Sequence, residues 1–193
     1  MMDMTSVSPP QRTAGRIVLA GVFFLLHSVV QGQPPEGAGS AVEILLKIDG
    51  IEGQVAAPDR QGWVAVDSFD YTILRPVGDD QKANRVGVTL VKAVDKASPF
   101  LYLHCSSGQA LDEVVLEVTR TAGDEVSTQE FRMGRVTVTS VKASAHAGAK
   151  HATERVTLHY GSIAWTYVRV DSVTGGVISE VTMHWDAAAD ERS

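Results

Sequence analysis

The histidines are the first residues in this chain whose type and spacing could do chemistry. His146 and His151 stand five apart in an Ala/Gly/Lys stretch, and His159 follows downstream. Three imidazoles could hold zinc if a fold brought them together. No cysteine and no clustered carboxylate accompanies them, so they read as solvated loop histidines. His104 sits in an apolar run and reads as a satisfied core or interface histidine. Its neighbour Cys105, the only cysteine, invites a nucleophile reading. Adjacent residues on a helix point about 100° apart, so adjacency makes no dyad. A reactive thiol also needs an activating, partly exposed setting. Cys105 therefore reads as a small buried hydrophobe.

The remaining candidates are weaker. Ser106-Ser107-Gly108 lacks the strand-turn-helix context of a nucleophile elbow. Gly50-Ile51-Glu52-Gly53 follows a strand, but no helix and no Lys-Ser/Thr pair comes after it, as a phosphate-binding loop requires. Asp67 and Asp70 alternate to opposite faces of one strand and make no catalytic pair. Asp79 and Asp80 read as a solvated turn. Trp63, Trp165 and Tyr167 fall at strand positions and are core candidates. No residue is assigned a catalytic, cofactor-binding or metal-binding role, and no cofactor is implied.

The elements that would position these residues are strands. Val42, Ile44, Leu46 and Ile48 alternate with Glu43, Lys47 and Asp49. Trp63, Ala65, Phe69, Tyr71 and Ile73 share a side, interrupted by Asp67. Val86, Val88 and Leu90 alternate, as do Val114, Leu116 and Val118, then Val136 and Val138. Val156, Leu158 and Tyr160 follow, then Ile163, Trp165 and Tyr167, with a weaker run from Val177 to Trp185. Strict alternation with dense β-branched residues marks half-buried strands. Seven or eight of them in about 150 residues predict a small barrel or sandwich. One segment departs from this. Ser98-Pro99 can serve as helix cap and first helical residue, and Gly108 as the stop. The spacing predicts two to three helical turns over about 98–107, packing an apolar face on the barrel.

The chain has 193 residues, a formal net charge of −6 and 44% hydrophobic residues. That suffices for one core and excludes disorder and a disulfide scaffold. The charge argues against a nucleic-acid-coating role. Residues 1–32 read as a signal peptide. Arg12 and Arg16 precede an apolar run from Ile17 to Val30, roughly 14 residues long and too short for a membrane span. Cleavage after Gly32 leaves a net charge of −7, no stable membrane span and a secreted or periplasmic product. Residues 33–41 form a flexible lead, and 42–193 form the β domain.

Several motifs occur in a fixed order along that domain. They are Leu46-Lys47-Ile48-Asp49-Gly50-Ile51-Glu52-Gly53, Gly62-Trp63-Val64 and Val94-Asp95-Lys96-Ala97-Ser98-Pro99. Cys105-Ser106-Ser107-Gly108, Val138-Thr139-Ser140-Val141 and Glu154-Arg155-Val156-Thr157-Leu158 follow, leading into Ile163-Ala164-Trp165-Thr166-Tyr167. Together they resemble the Hcp family, the tube proteins of type VI secretion. The Asp-Lys-Ala-Ser-Pro run with its following Cys-Ser-Ser-Gly is the most specific part.

The resemblance implies a compact β-barrel of two packed antiparallel sheets with one short α-helix. It implies a homo-hexameric ring, stacking into a tube that a sheath drives outward. A tip spike protein, the sheath and lumenal effector proteins are the implied partners, with no enzymatic activity and no nucleic acid. Two features depart from the family. Tube subunits are normally made without a signal peptide, and the loop at about 74–85 is short, charged and without a glycine run. An exported Hcp-like binding module that does not build tubes is the alternative reading.

Overall fold

The structure is a computed structural model and describes residues 41–73 and 87–186. Among the described residues nine strands and one helix occur in the order β1 (Ala41–Ile48), β2 (Val64–Ala65), β3 (Ser68–Thr72), β4 (Gly87–Ala93), α1 (Ser98–Ser107), β5 (Leu111–Ala122), β6 (Glu125–Ser144), β7 (Thr153–His159), β8 (Ser162–Asp171) and β9 (Val177–Asp186). The leader, the lead up to residue 40 and the loop at 74–85 lie outside the described residues.

All strand pairing is antiparallel. One sheet runs β2-β1-β5-β6-β8-β9 and the other β3-β4-β7-β6. The expected two packed antiparallel sheets with one short helix are what the fold contains. Strand β6, 20 residues long, belongs to both sheets. Its first half lies between β5 and β8, and from Thr137 onward it pairs with β7. Between the halves Arg135 takes φ 52°, a conformation uncommon for a residue with a Cβ. Its guanidinium Nη2 holds the bend, donating to the Gly161 carbonyl (2.9 Å) and to Asp186 Oδ1 (2.8 Å). A bulge at Thr139 adds further twist.

Residues 63–73 are not one strand. Val64 and Val66 are the buried residues of the first part, whereas Phe69 and Tyr71 pack inward from the second. The Val66 amide donates to Ile44 O (3.0 Å), and the next amide, Asp67, donates to Val91 O (2.8 Å). The chain thus leaves β1 for β4 between these two residues. Their inward phase shifts by one there, which is why Asp67 broke the alternation. Trp63 and Ala65 do not share the side of Phe69, and Ile73 is exposed. The end strands of the two sheets, β2 and β3, are joined through this crossing.

The core-facing side of the first sheet reads in rows across five strands. Ile48, Val114, Met133, Ile163 and Trp185 form one row. Leu46, Leu116, Phe131, Trp165 and Met183 form the next, followed by Ile44, Val118, Gln129, Tyr167 and Val181. On β1, β5 and β6 the first two rows are fully buried. Each such side chain stabilises the fold by about 1.5–3 kcal/mol. Burial fades toward β8 and β9, where Tyr167, Val181 and Met183 are exposed.

The Gly53–Trp63 turn folds back as a hairpin, with Gly53 N–H on Gly62 O (2.6 Å) and Val55 N–H on Trp63 O (2.9 Å). Arg60 ties it to β5 through Nε and Nη2 on Glu117 Oε2 (3.1 and 2.8 Å), with its guanidinium over the Trp63 ring.

The helix forms where the Ser-Pro pair and Gly108 place it, but its packing differs from expectation. It begins at Ser98, so Ala97 and not the expected Ser98 is the cap residue, and no side chain caps it, because the Ser98 hydroxyl is turned to Glu154 instead. Gly108, at φ 70°, ends it with its N–H on His104 O. Only Ser98 and Leu101 are buried. Phe100 and Leu103 point to solvent, Leu103 with 60% of its surface exposed. The expected apolar face is present but narrow: Ala97, Leu101 and Cys105, each four apart, pack on the core, while Ser98 and Tyr102 bind Glu154 through their hydroxyls.

Candidate functional site

The structure scatters the residues that could have made a metal or nucleophile site. His146 and His151 are exposed in the β6–β7 turn, while His159 ends β7. No group of three or more His, Cys, Asp or Glu able to hold a metal occurs among the described residues. His104 is half-buried, with Nδ1 2.9 Å from the Gln109 carbonyl. Cys105 is half-buried against the core rather than enclosed by it. Asp70 is on β3 beside Arg155 (3.7 Å), and Asp67 lies in the crossing between the sheets. A cleft of about 900 Å³ lies beside the Gly53–Trp63 hairpin. Its Lys96 and Glu52 are paired to each other at 3.1 Å. No helix among the described residues is long and apolar enough to cross a membrane.

What the structure does assemble is a buried polar clasp at the root of α1. Its signal was present in the alternation of β4, where Val88, Leu90 and Lys92 share the inward phase. Lys92 and the Glu154 side chain are fully buried. Lys92 Nζ donates to Glu154 Oε1 (2.7 Å), Asp95 Oδ1 (2.8 Å) and Ala93 O (2.8 Å). Those three acceptors use the three protons of the ammonium. Ser98 Oγ donates to Glu154 Oε1 (2.7 Å) and accepts the Asp95 amide (2.9 Å). Tyr102 donates to Glu154 Oε2 (2.8 Å). Burial, and secondly the bond to Glu154, raise the Tyr102 phenol above its ordinary pKa. Asp95 Oδ1 also takes the Ala97 amide at 3.0 Å.

The clasp is saturated. No buried side-chain N or O among the described residues lacks a partner. An ammonium with every proton donated has no lone pair to attack with, and the carboxylate facing it is already engaged. Such an array fixes geometry and offers no site for substrate. It ties β4, the Val94–Ala97 turn, α1 and β7 at one point.

A second, partly buried hydrogen-bonded chain links strands of the two sheets. Trp165 Nε1 donates to Tyr71 Oη (2.9 Å), which lies 2.8 Å from Tyr160 Oη. Burial first, and the Tyr71 contact second, raise the Tyr160 phenol. Its ring meets Trp185 edge-on at 6.5 Å. Trp165 is thus a core residue, as its strand position suggested, whereas Tyr167 on the same face is exposed.

The family described as "Type VI secretion system effector, Hcp" matches residues 45–167, which contain both the clasp and the sheet crossing. The chain belongs to the Hcp family.

Protein hcp1 of Pseudomonas aeruginosa is 29% identical over 87 residues, covering 45% of this chain and 54% of that protein. The chain therefore spans about half the length of that curated relative. Hcp1 from Salmonella typhimurium superposes with a TM-score of 0.62 at 24% identity, covering 77% of this chain and 96% of that one. A type VI secretion system effector from Yersinia pestis gives 0.58 at 18% identity, covering 74% and 98%. These likenesses show the Hcp fold. Within the family motif Val94-Asp95-Lys96-Ala97-Ser98-Pro99, Asp95 and Ser98 are clasp members, and Glu154 opens the later motif.

Proposed function

We propose that this Hcp family member is a ring-forming structural subunit of a type VI secretion tube, through which effectors are carried. It has no catalytic role in this reading. The observation that supports it most is the family match over 45–167 on a β fold whose buried polar clasp, among the described residues, is saturated. A subunit that works by shape needs fixed surfaces rather than reactive groups, and the clasp supplies rigidity where the helix meets both strands. The homo-hexamer, the spike, the sheath and the effectors belong to this same reading.

The apolar run after Arg16 supports export through a cleaved leader, with the product beginning at Gln33 and residing in the periplasm or outside the cell. That run also favours a second reading, an exported Hcp-like binding module without tube assembly. Light scattering on a sizing column, applied to the protein expressed with its leader, decides between them. A mass six times that of the subunit is expected, and a monomer refutes the ring and selects the binding module. N-terminal sequencing of the same material tests the leader. An intact start at Met1 or Met2 refutes cleavage.

A further inference from the structure

The two sheets part company at Arg135. Gly134 is the last β6 residue paired with β8, and Thr137 is the first paired with β7. Among the described residues Arg135 is the only non-glycine with a positive φ, 52°. Glycine adopts such a backbone freely. A residue with a Cβ holds it only where its surroundings over-determine it.

The guanidinium supplies those surroundings by reaching two other elements. Arg135 Nη2 donates to the Gly161 carbonyl, in the turn from β7 to β8 (2.9 Å), and to Asp186 Oδ1 (2.8 Å). Asp186 ends β9 and is the last described residue. The Gly161 amide donates in turn to the Gly134 carbonyl (3.0 Å). A Cβ on Gly161 would lie 2.6 Å from Arg135 Nε, so the arginine side chain fills the space that a side chain at 161 would take. Ser162, the next residue, pairs with both Gly134 and Asp186. β9 itself is an edge strand held by β8 alone. An ion pair open to solvent, as this one is, contributes little to stability by itself. Here, however, the residue that makes the pair is also the residue with the strained backbone.

We infer that Arg135 is a strained latch that couples the seating of β9 to the bend between the sheets. With Asp186 and Gly161 engaged, the guanidinium holds the backbone at positive φ and the bend is fixed. When the end of β9 lifts away, Arg135 loses that hold, its backbone relaxes and the first β6–β7 pairs loosen. The φ of Arg135 is the two-state element, and both acceptors bias it in the same direction. The end of β9 and the β6–β7 ladder do not pair with each other, yet they open together. The coupling is a property of one subunit and does not depend on the ring.

Hydrogen exchange on the full chain tests it, read at three places: the end of β9, the β6–β7 pairs from Thr137, and β5 as the control. Asp186→Ala is expected to lose about tenfold in protection at both β9 and β6–β7, with β5 unchanged. Gly161→Ala is expected to do the same, because its methyl displaces the guanidinium and removes no charge. Arg135→Gly removes the strain together with the latch. It is expected to lose protection at β9 while β6–β7 stays within about threefold of the parent, and adding Asp186→Ala to it changes β6–β7 no further. Asp186→Ala and Gly161→Ala variants that lose protection at β9 alone overturn the coupling. A loss shared equally by β5 overturns it too, as general destabilisation. So does an Arg135→Gly variant that loosens β6–β7 as much as Asp186→Ala does.

Discussion

Lys92→Met is the perturbation that probes the clasp most directly. Methionine keeps the length and apolar bulk of the lysine stem, so the change isolates the charge. In its absence Glu154 keeps only the hydroxyl donors Ser98 and Tyr102, and Asp95 keeps the Ala97 amide. A carboxylate with no exposed side-chain surface then has no cation beside it. Removing one partner of a buried pair costs about 3–5 kcal/mol, mostly the penalty on the charge left behind. For a chain of this size each kcal/mol moves the thermal midpoint by about 2–4 °C, so a fall of about 6–20 °C is expected. That loss is a large share of a total stability of about 5–15 kcal/mol. The partner variant Lys92→Met with Glu154→Leu removes both charges and is expected to recover most of the loss, because the attraction never greatly exceeded the desolvation cost. Thermal unfolding followed by circular dichroism at pH 7, checked by urea titration, reads both. A single variant within about 1 kcal/mol of the parent, or a double variant worse than the single, would refute the account of Lys92 and Glu154 as a mutually compensating buried pair.

Two further outcomes follow from local geometry. A Cβ on Gly53 would sit 2.1 Å from the Trp63 carbonyl oxygen and 2.6 Å from Val64 Cγ2. Since backbone cannot yield as a side chain does, Gly53→Ala is expected to cost about 3 kcal/mol or more, read by denaturant midpoint, and an unchanged midpoint would remove the hairpin from the fold's requirements. At alkaline pH, Tyr160 and Tyr102 hold their protons more tightly in the folded state than the ordinary tyrosine value of 10.0. The unfolded chain therefore ionises first, and the stability these phenols contribute, complete below pH 10.0, is lost as pH rises above it. Midpoints measured across that range are expected to fall for the parent and to fall less for Tyr160→Phe; parallel curves would contradict the assignment.

The alternation of Val42 to Ile48, Val114 to Val118 and Val156 to Tyr160 carried the strand content, because a period of two is written into each strand without reference to any partner. The helix was legible for the same reason, since Ser98-Pro99 and Gly108 act on the backbone within a few residues. The family was legible because its motifs occur in order. Periodicity assigns a side chain to a face and does not say what covers that face. It placed Met183 opposite His184 and Thr182, but only the limited reach of the packing over the first sheet leaves Met183 bare while Leu46 in the same row is buried. Lys92 was not assigned from the sequence although it continues the phase of Val88 and Leu90, and only the fold brings Glu154, 62 residues later, within 2.7 Å.

Which apolar helix residues face the core was not legible, because an apolar residue in an apolar helix gives no direction; Leu101 is buried and Leu103 exposed. The clasp sets the rotation of α1 by seating Ser98 and Tyr102 on Glu154. The shift of phase at Val66 and Asp67, and the turn of β6 at Arg135, depend on hydrogen bonds to strands distant in sequence. Local physics determined which segments are strands, which is the helix and which residues share a side. Where a strand changes sheets, which charges meet in the interior and where the apolar face runs out uncovered are decided by long-range packing, because those outcomes depend on atoms that the chain brings together only when it folds.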